Sequence, residues 1–76
     1  MAFNYKITER IATLSENGSY ATEVNLISYN GAEPKLDIRK WDKSANRMLK
    51  GIALDRNEAE KLKKVLAERE EKENDG

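Results

Sequence analysis

Apolar and polar residues alternate along the first part of the chain, which is the pattern of β-strands. The alternation begins at Phe3, Tyr5 and Ile7, and by Leu14 it has slipped by one position. A β-bulge near Glu9–Arg10 explains such a slip, because a bulge adds one residue to one strand of a pair. The pattern therefore predicts a first strand that bends.

Turn signals divide the following segment into three more strands. Asn17-Gly18 predicts a two-residue hairpin loop, since both residue types tolerate positive φ. Asn30-Gly31 predicts a second turn, which Ala32–Pro34 lengthens, and a polar turn is expected at Asp42–Asn46. The three predicted strands are Tyr20–Tyr29, Lys35–Trp41 and Met48–Leu54.

The strand period gives the predicted sheet two unlike faces. One face is apolar and carries Val24, Leu26, Leu36, Ile38, Ile52 and Leu54. The other face mixes aromatic and charged residues, namely Tyr29, Lys35, Arg39 and Trp41. A surface of that composition requires solvent, a second subunit or a ligand to cover it.

A helix start is marked by Asp55 as the N-cap and Glu58 three residues later, which together form a capping box. One apolar stripe follows, made of Ala59, Leu62, Val65 and Leu66. Because the stripe stops there, residues 69–76 are predicted to be a solvated charged tail and residues 1–68 a single domain. The predicted fold is α+β, a four-stranded antiparallel meander followed by one C-terminal helix (ββββα).

Composition narrows the functions open to this fold. The chain has 76 residues and contains neither cysteine nor histidine, which excludes disulfides, zinc sites built on sulfur and the commonest general base. No nucleophile–base pair is visible, so we expect no catalytic residue, metal, cofactor or small-molecule substrate. A domain this short is marginally stable alone, which favours a homodimer.

No apolar run approaches the roughly 20 residues that span a bilayer. The first residues also lack the apolar centre of a signal peptide. We therefore expect a cytoplasmic protein with no membrane partner.

The net charge of zero hides an uneven distribution. Lys35–Gly51 holds six basic and two acidic side chains, a local charge of +4, whereas Glu58–Gly76 has a charge of −2. A net charge of zero argues against a nucleic-acid partner, but a locally basic hairpin favours one.

Aromatic side chains interleave with these cations. Tyr29 and Trp41 share a strand face with Arg39. A ring beside a cation on an exposed strand can stack an unpaired base while the cation contacts phosphate. Structural roles remain open as well: Tyr29 in cross-strand packing, Trp41 at the core edge or in an interface, and Asp37 in a local salt bridge.

The same residues carry a family resemblance. The motif L-D-I-R at residues 36–39, Trp41 soon after it, and K-G-I-x-L at residues 50–54 directly before the capped helix resemble the positive-cofactor-four family of transcriptional coactivators. With residues 24–31 included, the chain is similar to the short bacterial YdbC-type members from about residue 5 to residue 66. The resemblance implies a ββββα protomer that dimerises through its helix and sheet edges. It also implies binding of single-stranded DNA with little sequence preference.

The family's functional positions fall on Tyr29, Arg39, Trp41 and Lys50. The strand period already places the first three on one face. Lys50 has the parity of Ile52, so it reaches that face only through a bulge near Gly51.

The resulting hypothesis is a homodimeric, sequence-tolerant protein that binds single-stranded DNA, with RNA left open, in transcription, replication or repair. Phosphate contacts are predicted for Lys35, Arg39 and Lys50, with Lys43 and Arg47 as outer cations, and Leu62 and Leu66 are predicted in the dimer interface. We expect Arg39→Ala or Lys50→Ala to weaken binding without unfolding the protein. The alternative is a protein-interaction module whose basic hairpin binds an acidic partner.

Overall fold

The computed structural model describes the backbone of residues 4–75 and the side chains of residues 4–70. It contains the elements β1 (Tyr5–Asn17), β2 (Tyr20–Tyr29), β3 (Lys35–Asp42), β4 (Arg47–Leu54) and α1 (Arg56–Asp75). The strands form one antiparallel sheet in the order β1-β2-β3-β4. The predicted ββββα fold is therefore confirmed, and Phe3 lies outside the described residues.

The first two turns differ in how well the sequence predicted them. Asn17 pairs with Tyr20, so the first loop is Gly18-Ser19 and begins one residue later than predicted. Gly18 takes the positive φ of this loop, at 62°. The second turn forms at Asn30-Gly31, as predicted, and both residues have positive φ, 51° and 78°. At Gly18 and Gly31 the positive φ causes no strain, because glycine has no Cβ atom.

Bulges interrupt β1 at regular intervals. Its register with β2 shifts at three places, which leaves Thr8, Ile11 and Leu14 without a paired residue. The sequence predicted one bulge near Glu9–Arg10, and the first two shifts flank that position. Since each bulge bends the strand and increases its twist, three of them make β1 curl strongly.

The curl brings distant corners of the sheet together. Tyr5 pairs with Tyr29 at one end of β2, and Trp41 pairs with Ala21 at the other end. Eight residues of flat strand would separate these ends by about 26 Å, yet the ring centroids of Tyr5 and Trp41 lie 6.0 Å apart. The sheet is therefore coiled around the face that carries both rings, which we call the inner face.

The inner face is the buried side of the protein, although none of the described helices and strands forms a second layer on it. It comprises the odd-numbered residues of β2 and β3, and its most buried members are Ala21, Glu23, Asn25, Ile27, Asp37 and Trp41. The opposite, outer face carries the predicted apolar residues, which are half-buried or exposed. Half of the buried inner-face residues are polar or charged, so their hydrogen bonds decide how this face is organised.

The start of α1 follows the predicted capping box. The backbone N–H of Glu58 donates to Asp55 Oδ1 at 2.8 Å, and that of Asp55 donates to Glu58 Oε1 at 3.0 Å. The helix continues to Asp75 instead of giving way to a tail at Arg69. The tail was predicted because the apolar stripe ends before Arg69. The helix can continue past that point because residues 56–75 contain no glycine or proline. Within the described residues, no helix has the length and apolarity to cross a membrane.

Candidate nucleic-acid interface

The centre of the inner face is an ion pair between neighbouring positions of β3. The side chain of Asp37 is fully buried and that of Arg39 is 13% exposed. Arg39 Nε donates to Asp37 Oδ1 at 2.6 Å, and Arg39 Nη2 donates to Oδ2 at 2.7 Å. Residues two apart on a strand share a face, so this bidentate pair follows directly from the D-x-R spacing. The predicted salt-bridge role of Asp37 is confirmed.

Tyr29 completes this ion pair from β2. Its hydroxyl donates to Asp37 Oδ2 and accepts from Arg39 Nη2 at 3.1 Å. Burial and the Asp37 carboxylate raise the pKa of Tyr29 to about 12. The hydrogen bonds from Arg39 to Asp37 raise the pKa of the guanidinium. The hydroxyl and the guanidinium therefore keep their protons, and Arg39 stays cationic in its buried position.

A bulge in β4 supplies the last partner of Arg39. The register of β3 and β4 shifts between Arg39 and Trp41, because Leu49 and Lys50 together stand opposite one β3 residue. Arg39 Nη1 donates to the Leu49 carbonyl at 3.0 Å. The predicted bulge near Gly51 is thus confirmed, and a carbonyl at the bulge accepts a charged hydrogen bond. Four of the five donors of Arg39 are now assigned to protein acceptors.

Gly51 stands opposite Arg39 at a point where the two strands lie unusually close. A Cβ atom at Gly51 would lie 1.9 Å from Arg39 Cβ and 2.7 Å from Arg39 Cα. Glycine is therefore required here by contact between strands, since its φ is not among the positive ones. The close approach places the bulged part of β4 within reach of the guanidinium.

The predicted aromatic residues lie deeper than a stacking platform requires. Tyr29 is half-buried, and Trp41 is 3% exposed with its ring against Tyr5. Trp41 Nε1 is buried and has no hydrogen-bond partner among the described residues. In this state Trp41 matches the core-edge role that the sequence left open, and its contact with bases stays a prediction.

Exposed cations lie along the β3–β4 hairpin. Lys35 has the register of the inner face, whereas Lys50 stands with Leu49 opposite Lys40, a residue of the outer face. Tyr29, Lys35, Arg39 and Trp41 do share one face of the sheet, as predicted. We use the name cationic rim for Lys35, Lys43, Arg47 and Lys50, which are all exposed. In the described part of the chain, no ion pair involves Lys35, Arg47 or Lys50, whereas Lys43 pairs with Glu23. The hairpin therefore offers several exposed point charges, which suit a polyanion.

Four inner-face residues were not assigned a role by the sequence: Tyr5, Arg10, Glu23 and Asn25. Glu23 and Asn25 alternate with apolar residues on β2, and the strand period placed them on the face of Tyr29. Their alternation with apolar residues was the sequence feature from which a site role could have been predicted. Arg10 could not be placed in the same way, because the bulges of β1 break its period.

The predicted dimer residues lie in the middle of α1. Among the described elements, the helix contacts β3 and β4, and Arg56 and Ala59 of its first turn line a pocket together with Leu36 and Leu54 of the outer face. Leu62 is half-buried, and Leu66 is 56% exposed. Among the described side chains, no group of His, Cys, Asp or Glu could hold a metal ion.

Comparison with known proteins agrees with this geometry. A sequence model of the family described as Transcriptional Coactivator p15 (PC4) matches residues 17–65, which is more than half of the chain. An uncharacterized protein of Treponema pallidum (strain Nichols) is 38% identical over 65 residues, which cover 84% of this chain and 76% of that protein. The matched residues 17–65 include the inner-face residues of β2 and β3, the cationic rim and the helix start. The chain therefore belongs to the Transcriptional Coactivator p15 (PC4) family, whose kind of function is nucleic-acid binding.

Proposed function

We propose that this chain binds single-stranded DNA as a homodimer and with little sequence preference, as a binding protein and not as an enzyme. The observation that carries the proposal is the cationic rim on the β3–β4 hairpin. When exposed lysine and arginine side chains without ion pairs bind phosphates, the counterions condensed on the nucleic acid are released. This contribution to affinity does not depend on base sequence.

The position of Trp41 supports binding at this face. A buried indole N–H without a partner costs free energy, and a base or phosphate oxygen that entered the inner face would satisfy it. Unpaired bases have accessible faces and edges that duplex DNA hides. We therefore place the bases of a single strand near Trp41 and Tyr5 and its phosphates along the rim.

Binding is expected to change the fluorescence of Trp41, which is the only tryptophan of the chain. Titration with oligo-dT at low salt should quench or shift the emission, because the environment of the ring changes. The apparent affinity should fall as salt rises, with a slope of roughly 0.7 per phosphate contact. Duplex DNA of the same length and RNA serve as competitors. Unchanged emission, from protein shown to be folded by circular dichroism, would refute the proposal.

The rim is tested by Lys50→Ala against Lys63→Ala. Both lysines are exposed, but Lys63 lies on α1, away from the inner face. We expect Lys50→Ala to weaken oligo-dT binding about three- to tenfold and to lower the salt slope by up to about 1. Lys63→Ala should leave both quantities within twofold. Equal losses in the two variants would mean that the site is not at the rim.

The homodimer is proposed from the outer face and α1. Ile52, Val65 and Leu66 are each more than half exposed, and a second copy is the partner that a symmetric association provides. The outer face and the helix stripe would together form one apolar interface.

Leu66→Glu is expected to yield a species that sediments at the mass of one chain. Because Leu66 is exposed in the single chain, the change should spare its internal packing and act on association. Lys64→Glu, an exposed position on the side of the helix opposite the apolar stripe, is the matched control and should keep the mass of two chains. A dimeric Leu66→Glu variant in sedimentation velocity would contradict the proposed interface.

A further inference from the structure

A second cluster on the inner face is built around a buried carboxylate that the ion pair of Asp37 does not involve. Glu23 on β2 is 5% exposed. Lys43 Nζ lies 2.7 Å from Glu23 Oε2, and Arg10 Nη1 lies 3.5 Å from Oε1. Asn25 Nδ2 also donates to Oε1, at 3.2 Å. One buried anion is thus covered by two cations whose side chains are 48% and 64% exposed.

These partners come from different elements. Glu23 stands opposite Arg39 in the β2–β3 register, but Arg39 is directed to Asp37, Tyr29 and the Leu49 carbonyl. Glu23 is instead neutralised by Arg10 of β1 and by Lys43 of the turn after β3. Burial alone would raise the pKa of Glu23, but the hydrogen bonds from Lys43 and Asn25 outweigh it and hold the pKa below its ordinary value. The carboxylate is therefore ionised at neutral pH.

An ionised carboxylate at this place affects how the rim meets phosphate. Lys43 is the one rim residue already in an ion pair within the described residues. A phosphate that binds Lys43 or Arg10 has to approach the Glu23 charge, and like charges at short range repel. Leaving the buried Glu23 without its cations is also costly. Both effects oppose the transfer of Lys43 and Arg10 to a ligand.

We propose that Glu23 is an affinity-limiting residue of the nucleic-acid interface, which competes with ligand phosphates for Lys43 and Arg10. This inference rests on the proposed binding of single-stranded nucleic acid. It divides the rim into Lys35, Arg47 and Lys50, which are available to phosphate directly, and Lys43, which Glu23 holds. The competition keeps the binding of any polyanion weaker than the number of exposed cations implies.

Glu23→Gln tests the competition with little change of shape. Gln retains an oxygen that can accept from Asn25 but carries no charge to hold Lys43. Affinity for oligo-dT at low salt should rise about three- to tenfold, and the salt slope should steepen by roughly 0.7 for each cation that becomes available. Glu68→Gln, an equal charge change on the exposed surface of α1, should alter affinity less than twofold.

The contribution of Lys43 separates this competition from a general charge effect. Lys43→Gln alone should lower affinity less than twofold, because Lys43 is already paired, whereas in the Glu23→Gln background it should remove most of the gain. If thermal melting shows that Glu23→Gln is unfolded, the single variant Lys43→Gln still tests the proposal. If Lys43→Gln lost as much affinity as Lys50→Ala does, the proposed competition would be overturned.

Two further outcomes distinguish failure of the competition from failure of the proposed function. Wild-type binding combined with unchanged or weaker binding by folded Glu23→Gln overturns the competition and leaves the proposed function intact. Absence of oligo-dT binding by the wild-type protein overturns the proposed function and the competition together.

Discussion

Replacing Gly51 with alanine is expected to lower the free energy of unfolding by about 3 kcal/mol. The added Cβ would lie 1.9 Å from Arg39 Cβ and 2.7 Å from Arg39 Cα, so no flexible side-chain end can move aside. β3 and β4 would have to separate beneath the guanidinium, which would also strain the bond from Arg39 to the Leu49 carbonyl. For a domain of this size the melting temperature should fall by at least about 12 °C.

Gly31→Ala is the matched control for this prediction. Gly31 has a φ of +78°, and nothing lies within 4 Å of the Cβ that alanine would add. Its cost should be confined to left-handed strain, about 1 kcal/mol. Thermal melts at equal protein concentration compare the two variants. If Gly51→Ala is no less stable than Gly31→Ala, the close approach of the strands does not require glycine.

Arg39→Ala is expected to cost about 3–5 kcal/mol of stability, because it leaves a buried carboxylate without its cation. Asp37 is fully buried, and Arg39 supplies its ionic partner. Urea denaturation followed by Trp41 fluorescence measures the loss at a fixed protein concentration. The structure thereby revises the sequence-based expectation that this variant affects binding and leaves the fold unchanged. Loss of binding by Arg39→Ala would not identify a phosphate contact unless the folded fraction is measured.

Arg47→Ala provides the control within the same hairpin. Arg47 is exposed, and its loss should change stability by no more than about 0.5 kcal/mol. The double variant Asp37→Ala/Arg39→Ala should cost clearly less than the sum of the two single variants, since both partners of one ion pair are then absent. Additive losses would show that Arg39 does not stabilise the fold through Asp37.

Much of the site follows from strand parity and spacing. The D-x-R motif places Asp37 and Arg39 on one face, and the K-G-I-x-L motif required a bulge to reconcile Lys50 with that face. The ion pair and the bulge are both present, but the bulge leaves Lys50 opposite Lys40 of the outer face. Local spacing is sufficient here because each feature involves residues one or two positions apart on a strand.

Other properties of the site depend on contacts between distant residues. The sequence offered Trp41 as a platform or as a core residue, and the choice depended on Tyr5, which lies 36 positions earlier and reaches it through the coiling of the sheet. The partners of Glu23 likewise come from β1 and from the turn after β3. Three bulges in β1 produce this coiling, and alternation alone indicated one of them.

The sequence by itself determined the order of the elements, the capping box, the two faces of the sheet and the basic character of the β3–β4 hairpin. These follow from local periodicity and from charges counted along the chain. The tertiary structure alone decided that the inner face is buried, that Tyr29 joins the pair of Asp37 and Arg39, and that Glu23 pairs with Lys43. The physical reason is that burial and ion pairing depend on the curvature of the sheet, which brings side chains from separate strands within hydrogen-bonding distance.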